Sequence, residues 1–439
     1  MSQTPGAVNV ESPLNRLSWL RNSHTFLNAI AASPKARWLL SNAGKQLVSV
    51  PTSSSSDRPT ITQLTTGQVK SFLGEEPYFG QGKDESRGLT ADEVTTHTES
   101  ARHRGVRVVF LGILDSLSAL NALPTSDFTD PERAIANLEG TPFFAFDIGD
   151  LDLDSERVKA FMDETKDSQI LSWAEPRALM GALDNVSLAL FTEARSMVDW
   201  NQRNKFCPAC GSSTYSMWGG WKISCSTLLP WVDNKGGKPC PTEKGLHNFT
   251  HPRTDPVVIM IAIDETGDKI LLGRGKKFPG NFYSALAGFI EPAETLEDAV
   301  VREMWEEAGV KAWDVTYHST QPWPFPANLM VGFYARADAS QPVRLDLDNE
   351  LMDARWYTRS EVREVLNHPL GTRIGLGDYK KFADAENGTT SKEVKQVEAA
   401  GEPPFRVPPT SAIAGVLIRE WVAGKIGFGP AQPMQKGNL

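Results

Sequence analysis

The hydrophobic pattern changes period several times along the chain. In TFLNAIAASPKARWLLS, residues 25–41, apolar positions recur at helical spacing and predict an amphipathic helix. VRVVFLGIL (106–114) and TPFFAFDIG (141–149) are short runs rich in Val and Phe and predict buried strands. From Pro176 to Asn201 a helical spacing returns, through Leu179, Leu183, Leu188, Leu190, Ala194 and Val198. DPVVIMIAID, the turn ETGD and KILLGRG then predict a hairpin. A helix is predicted over Leu296–Ala308, with Gly309 suited to stop it. LMVGFYARAD and ARWYT predict strands, SEVREVLNH a short helix and SAIAGVLIREWVAG a last amphipathic helix. The polar stretches near 51–105 and 380–404 carry no period and read as loop inserts.

At 439 residues the chain is too long for one ordinary domain. With 40% hydrophobic and 23% charged residues, the composition is that of a soluble globular protein. A net charge of -9 argues against binding nucleic acid through nonspecific electrostatics, which needs a basic excess. No apolar run is long enough for a membrane span, and MSQTPGAVNVESPL lacks the order of a secretory signal. The C-terminal KGNL is no recognised peroxisomal address, so a cytoplasmic location is the expectation. All four cysteines, Cys207, Cys210, Cys225 and Cys240, fall in one short segment as CxxC followed by two gaps of fourteen residues. In a reducing compartment that clustering favours a zinc site over disulfides.

The acidic segment GFIEPAETLEDAVVREMWEEAGV, Gly288 to Val310, carries the chemistry. The plain reading of an acid-rich helix is a solvated face. At about 100° per residue, however, Leu296, Val300, Glu303 and Glu307 share one stripe, with Glu306 beside them. Two glutamates therefore extend a stripe that carries core residues. Like charges at about 4 Å repel by on the order of 4 kcal/mol at an effective dielectric near 20, so either their pKa values rise or a cation sits among them. Hard oxygen ligands at this density suit Mg2+ or Mn2+, the ions that pyrophosphate cleavage uses. The glycine ahead of the helix permits a tight loop whose carbonyl can reach an ion.

This segment resembles the Nudix box at Gly288, Glu294, Arg302, Glu303, Met304, Glu306, Glu307, Gly309 and Val310. The resemblance implies an α+β fold, the Nudix α/β/α sandwich with a mixed sheet. It implies Glu303, Glu306 and Glu307 as metal ligands. Arg302 and Glu294 would brace loop and helix by charge-assisted hydrogen bonds.

Three further features resemble the NADH pyrophosphatases within that superfamily. The first is QPWPFPAN: Gln321, Pro322, Trp323, Pro324, Phe325, Pro326, Ala327 and Asn328. Prolines stiffen such a loop, and Trp323 and Phe325 have flat faces for a base or a nicotinamide ring. Thr320 and Asn328 stand where the family usually has serine. The second is FCPACGS, similar to the start of a four-cysteine zinc ribbon whose single zinc is structural. The third is HPRTDP, where His251 occupies the position of a tyrosine that stacks on adenine. By the same resemblance Ala287 and Phe289 flank the box glycine and touch substrate, with the backbone of Ala287 and Gly288 also reaching metal. Glu350 would be a metal ligand from outside the box, and Ala414 a small residue of a substrate-touching C-terminal helix.

These resemblances imply a domain order: a degenerate Nudix-like region over 1–200, a zinc ribbon over 201–254 and a catalytic domain over 255–430. They imply a homodimer holding two or three Mg2+ or Mn2+ ions per site, which splits NADH or NAD+ into nicotinamide mononucleotide and AMP. Removal of an NAD cap from an RNA 5′ end by the same chemistry is one alternative. A nucleotide sensor without turnover is another.

Overall fold

The computed structural model describes residues 14–21, 23–51, 59–74, 76–79, 106–114, 140–151, 153, 155–165, 169–229, 240–243, 252–276, 278, 280–291, 294–347, 350–375, 378 and 402–426. His251 and most of the two polar inserts lie outside these residues. Contacts divide the chain into two units: one runs up to Thr254 and includes Trp323–Ala327, and the other begins at Asp255 and omits that segment.

The N-terminal unit is built on strands β1 (Leu14–Asn15), β2 (Arg37–Asn42), β3 (Lys45–Pro51), β4 (Thr60–Ile61), β5 (Val109–Leu114), β6 (Thr141–Asp147) and β7 (Gln169–Ala174). Among the described residues they form one sheet in the order β1-β5-β6-β2-β3-β4, with β7 also paired to β3. Strand alternation sends side chains to opposite faces. Trp38, Leu40, Phe144 and Phe146 pack on one face with helix α1 (His24–Ala32), and Trp38 stacks on Phe144 at 4.6 Å. Leu39, Phe143 and Ala145 face the other way. Also in the unit are α2 (Thr66–Leu73), α3 (Ser155–Thr165), α4 (Pro176–Leu179) and the long α5 (Asn185–Arg203). Leu188, Phe191, Ala194 and Val198 of α5 cover that second face. Asp184 starts α5, its carboxylate accepting from the amides of Val186 and Ser187 at 3.0 Å.

Three expectations need correction here. The helix predicted through residue 41 ends at Ala32; Pro34 follows, and Trp38–Leu40 sit in a strand buried on both faces. The stretch near 51–105, read as loop, contains β4 and the capped helix α2, whose Val69, Phe72 and Leu73 are buried. The cysteine segment, expected as a domain of its own, is built into this unit. Its hairpin, β8 (Thr214–Met217) with β9 (Lys222–Cys225), is tied down by Arg107, which donates to the carbonyls of Asn201, Asn204 and Thr214 at 2.8–3.1 Å. Trp221 Nε1 donates to Phe110 O at 2.6 Å.

The second unit is a mixed sheet in the order β13-β14-β10-β11-β15, with β12 added to β10. The strands are β10 (Asp255–Ile263), β11 (Lys269–Gly275), β12 (Leu286–Phe289), β13 (Ala312–Trp323), β14 (Asn328–Ala337) and β15 (Leu351–Thr358). β10 and β14 run parallel from Asp255↔Asn328 to Ile263↔Arg336, while the other pairs to β10 are antiparallel. Being central, β10 is buried on both faces, which explains its unbroken apolar run. Val258, Met260 and Ala262 meet helix α6 (Leu296–Ala308) through Val300 and Met304. Ile259, Ile261 and Ile263 meet α7 (Arg359–Asn367) and α8 (Ile413–Val422) through Val362, Val365 and Leu417 on the other side. The result is the α/β/α sandwich expected from the sequence. No helix among the described residues is long and apolar enough to cross a membrane.

Candidate active site

The site grows from two neighbouring pieces, the end of β12 and the inner face of α6. Thr295 caps α6 by accepting from Asp298 N at 3.1 Å, and Gly309, at φ +66°, ends it. The helix thus begins and ends where its sequence signals place it, which fixes the rotation of its glutamates. Glu307 is buried, 4% exposed, and its Oε1 accepts from Ala287 N at 3.2 Å. Glu303 stands one turn earlier, directly against Gly288. A Cβ on Gly288 would fall inside the Glu303 carboxyl. Only a glycine lets the strand backbone and this carboxylate share that space.

Arg302 organises the group. Its Nε donates to Glu294 Oε1 at 2.7 Å and its Nη2 to Glu294 Oε2 at 2.9 Å, a bidentate pair. The same Nη2 reaches Phe289 O at 2.8 Å, which pins the end of β12. Nη1 donates to Glu303 Oε1 at 2.7 Å and Glu306 Oε2 at 2.9 Å. One guanidinium therefore binds Glu294 and the loop, as the sequence suggests, and also gathers two of the acidic side chains. Burial pushes the Glu303 carboxyl above its ordinary range, with Glu306 and Glu350 adding to the rise and Arg302 opposing it. Hydrogen bonds from Arg302 hold Glu294 below its ordinary range.

Glu350 precedes β15, and its carbonyl accepts from Lys276 N at 3.4 Å. A β-bulge between Arg274 and Gly275 sets Gly275 opposite Leu351, so the ladder is offset where Glu350 enters. Phe289 is 59% exposed beside the glycine loop, an aromatic face turned to solvent.

The remaining sequence candidates have other company. Gln321 is fully buried; its Nε2 donates to Ser411 O at 2.9 Å and its Oε1 accepts from Ile413 N at 2.8 Å. Its amide thereby caps the start of α8, whose own N-cap, Ala412, offers no side-chain hydrogen bond. Ala414 is buried in the core under that helix. Trp323 and Phe325, expected to offer flat faces to a base, are partly buried. They pack against the core cluster of the N-terminal unit, edge to face at 5.1 Å, with Arg177 stacked 4.4 Å over the Phe325 ring. Pro324 O accepts from Arg195 Nε at 2.7 Å. Pro322 is exposed, Ala327 is buried, and Asn328 opens β14. Arg177 and Arg195 were not identified from the sequence, because about 130 to 150 residues separate them from the turn and no local pattern marks the contact. Equally silent is Tyr283, whose hydroxyl donates to Asp353 Oδ2 at 2.5 Å.

The four cysteine Sγ atoms lie within 4.8 Å of one another and none is in a disulfide. Cys207 and Cys240 are 3.6 Å apart, Cys210 and Cys225 3.4 Å. Thiolates about 2.3 Å from one central ion would stand roughly 3.8 Å apart, so the cluster has the dimensions of a closed four-thiolate site. Burial pushes the Cys225 thiol up to about 12, whereas hydrogen bonds from Ser212 bring Cys210 down to about 6.

Residues 253–373 match the family model of the NUDIX domain. The chain is 40% identical over 247 residues to the human NAD-capped RNA hydrolase NUDT12, covering 56% of this chain and 44% of that protein. To NAD-capped RNA hydrolase NPY1 of Saccharomyces cerevisiae it is 31% identical over 374 residues, 82% of this chain and 86% of the yeast one. The chain belongs to the Nudix NADH pyrophosphatase family. The Nudix box is the α6 glutamate array with its glycine loop. NAD-capped RNA hydrolase NudC of Mycobacterium bovis is another relative, 31% identical over 61% of this chain and 71% of that one. This Nudix chain spans less than half the length of the human relative.

Proposed function

We propose that the chain hydrolyses the pyrophosphate of NADH or NAD+ to nicotinamide mononucleotide and AMP. The observation that carries this reading is the Arg302 clasp, which gathers Glu294, Glu303 and Glu306 against the Gly288 loop while Glu307 is held by Ala287 N. Carboxylates of Glu303, Glu306, Glu307 and Glu350, with the backbone of Ala287 and Gly288, are the residues that would hold two or three Mg2+ or Mn2+ ions. The tight fit of Glu303 against a Cβ-less residue supports that assignment. When bound, such ions neutralise phosphate oxygens and raise the nucleophilicity of water. Arg302 keeps Glu303 and Glu306 aimed at the loop. The Ala287 amide fixes Glu307. The exposed Phe289 ring offers a stacking face to a base. Cys207, Cys210, Cys225 and Cys240 would hold one structural zinc, since four thiolates leave no open position.

A second substrate form, the NAD cap of an RNA 5′ end, is favoured by the relatives named as NAD-capped RNA hydrolases. It uses the same pyrophosphate and the same glutamates. The test is AMP release from NADH, NAD+ and ADP-ribose, and nicotinamide mononucleotide release from NAD-capped RNA, with Mn2+ and without. Metal-dependent turnover of NADH ahead of ADP-ribose supports the reading. Glu307→Gln should lower kcat by at least about a hundredfold with the fold intact. Near-normal turnover in that variant would remove the box glutamates from the mechanism.

A further inference from the structure

The N-terminal unit contains a cavity of about 210 Å³ between its sheet and α5. It shares no residue with the glutamate site. Two of its walls are apolar: Leu39 and Ala145 from the strands, Phe191 and Val198 from the helix. A cavity of about 150 Å³ suffices for a benzene ring, so a substituted six-membered ring or a small fused bicycle fits this one.

The polar groups on its wall are not all spent. Gln46 is 4% exposed; its Nε2 donates to Leu40 O at 3.0 Å and Leu47 O at 3.3 Å, and its Oε1 has no partner among the described residues. That oxygen faces the cavity and is free to accept from an occupant. Arg195 commits Nε to Pro324 O and Nη1 to Gly44 O, which leaves Nη2 to donate. The Gln202 side chain has no hydrogen bond among the described residues, and Asp199 uses Oδ2 on Arg203 and keeps Oδ1. Asp147, by contrast, is saturated by the amides of Ala43, Gly44 and Gly149. Donors and acceptors thus lie side by side in a cavity with apolar flanks and a largely polar lining. The carboxylates of Asp147 and Asp199 on the same wall disfavour a phosphate.

We propose that this cavity is a second ligand site, taking a neutral planar nitrogen heterocycle that carries an N–H donor beside an acceptor. That edge is shared by nicotinamide, through its carboxamide, and by adenine. Gln46 Oε1 and Asp199 Oδ1 receive the ligand's N–H groups, and Arg195 Nη2 donates to its acceptor. The ring lies between the sheet and the helix. Because the Arg195 guanidinium also holds Pro324, an occupant of the cavity meets the group that fixes the Trp323–Ala327 turn.

The full-length protein is titrated calorimetrically with nicotinamide and, separately, with adenine. The proposal expects saturable binding of at least one, and their relative affinity tells which ring the slot prefers. Ala194→Leu, which fills the cavity from α5, should weaken that binding by about tenfold or more, equivalent to about 1.4 kcal/mol, and leave NADH turnover unchanged. No binding of either compound at millimolar concentration overturns the proposal. So does equal affinity in Ala194→Leu and the parent, which places the ligand elsewhere. If Ala194→Leu loses its far-ultraviolet dichroism, Gln202→Ala replaces it: weakened affinity supports the site and unchanged affinity overturns it.

Discussion

The Glu303 carboxyl occupies the space that any side chain at Gly288 would need. The two are fifteen residues apart on different elements, and their fit holds the loop backbone against the helix. Gly288→Ala should therefore displace either the loop or Glu303 and lower kcat by about a hundredfold or more. Steady-state kinetics with NADH, beside an unchanged circular dichroism spectrum, checks it. An alanine variant with parental kcat would show that this close approach is dispensable.

Arg302→Lys keeps the charge and loses the fork. A lysine cannot serve Glu294 bidentately and still reach Phe289 O, Glu303 and Glu306. We expect kcat to fall about ten- to a hundredfold, with a smaller change in KM. A KM effect alone would mean that Arg302 serves substrate binding and not the alignment of the glutamates.

Gln321→Ala removes the cap of α8 and leaves the buried amide of Ile413 without an acceptor. Local stability there should fall by about 1–3 kcal/mol. Hydrogen exchange at the Ile413 amide reads this directly, and protection equal to the parent would refute the capping role. Gln321→Glu should restore part of it, since the acceptor remains.

Cys225→Ser should abolish stoichiometric zinc, measured by elemental analysis of the purified protein, and lower the thermal midpoint. The parent should carry about one zinc per chain. Retention of a full equivalent in the variant would remove Cys225 from the ligand set.

Asp184 caps α5, and hydrogen bonds from Ser187 hold its carboxyl below the ordinary range. A depressed folded pKa means the cap stabilises fully above the unfolded value near 3.9 and is lost as pH falls through the lower folded value. Asp184→Ala should cost about 1 kcal/mol at neutral pH and less under acid, read as the shift in urea midpoint between pH 7 and pH 3. An equal shift at both values would assign the effect to something other than the carboxylate.

The glutamate array was legible because a helix has a fixed period and strong end signals. Leu296, Val300, Glu303 and Glu307 share a stripe by helical period alone, and the cap Thr295 and stop Gly309 keep that stripe turned toward the sheet. The strands Asp255–Ile263 and Lys269–Gly275 were legible for a similar reason, as dense apolar runs around a turn. What escaped depended on distant partners. Trp38 and Leu40 fit a helical pattern locally, but pairing with Phe144 and Phe146 makes them strand residues. Gln321 looked like a ligand contact from its motif, yet its partners lie some ninety residues on. The packing of Trp323 and Phe325 escaped for the same reason, since nothing near them in sequence announces Arg177 and Arg195.

The allocation of Trp323–Ala327 to the N-terminal unit sets a condition on biosynthesis. A nascent chain released at Thr254 would lack part of that unit's apolar cover, which arrives about seventy residues later, after β13 has emerged. Trp323 and Phe325 reach their place on that core only once the second unit is partly translated. Gene fragments cut between Thr254 and Asp255 would give one piece missing its cover and another with two large aromatic rings bare, both prone to aggregate when expressed apart.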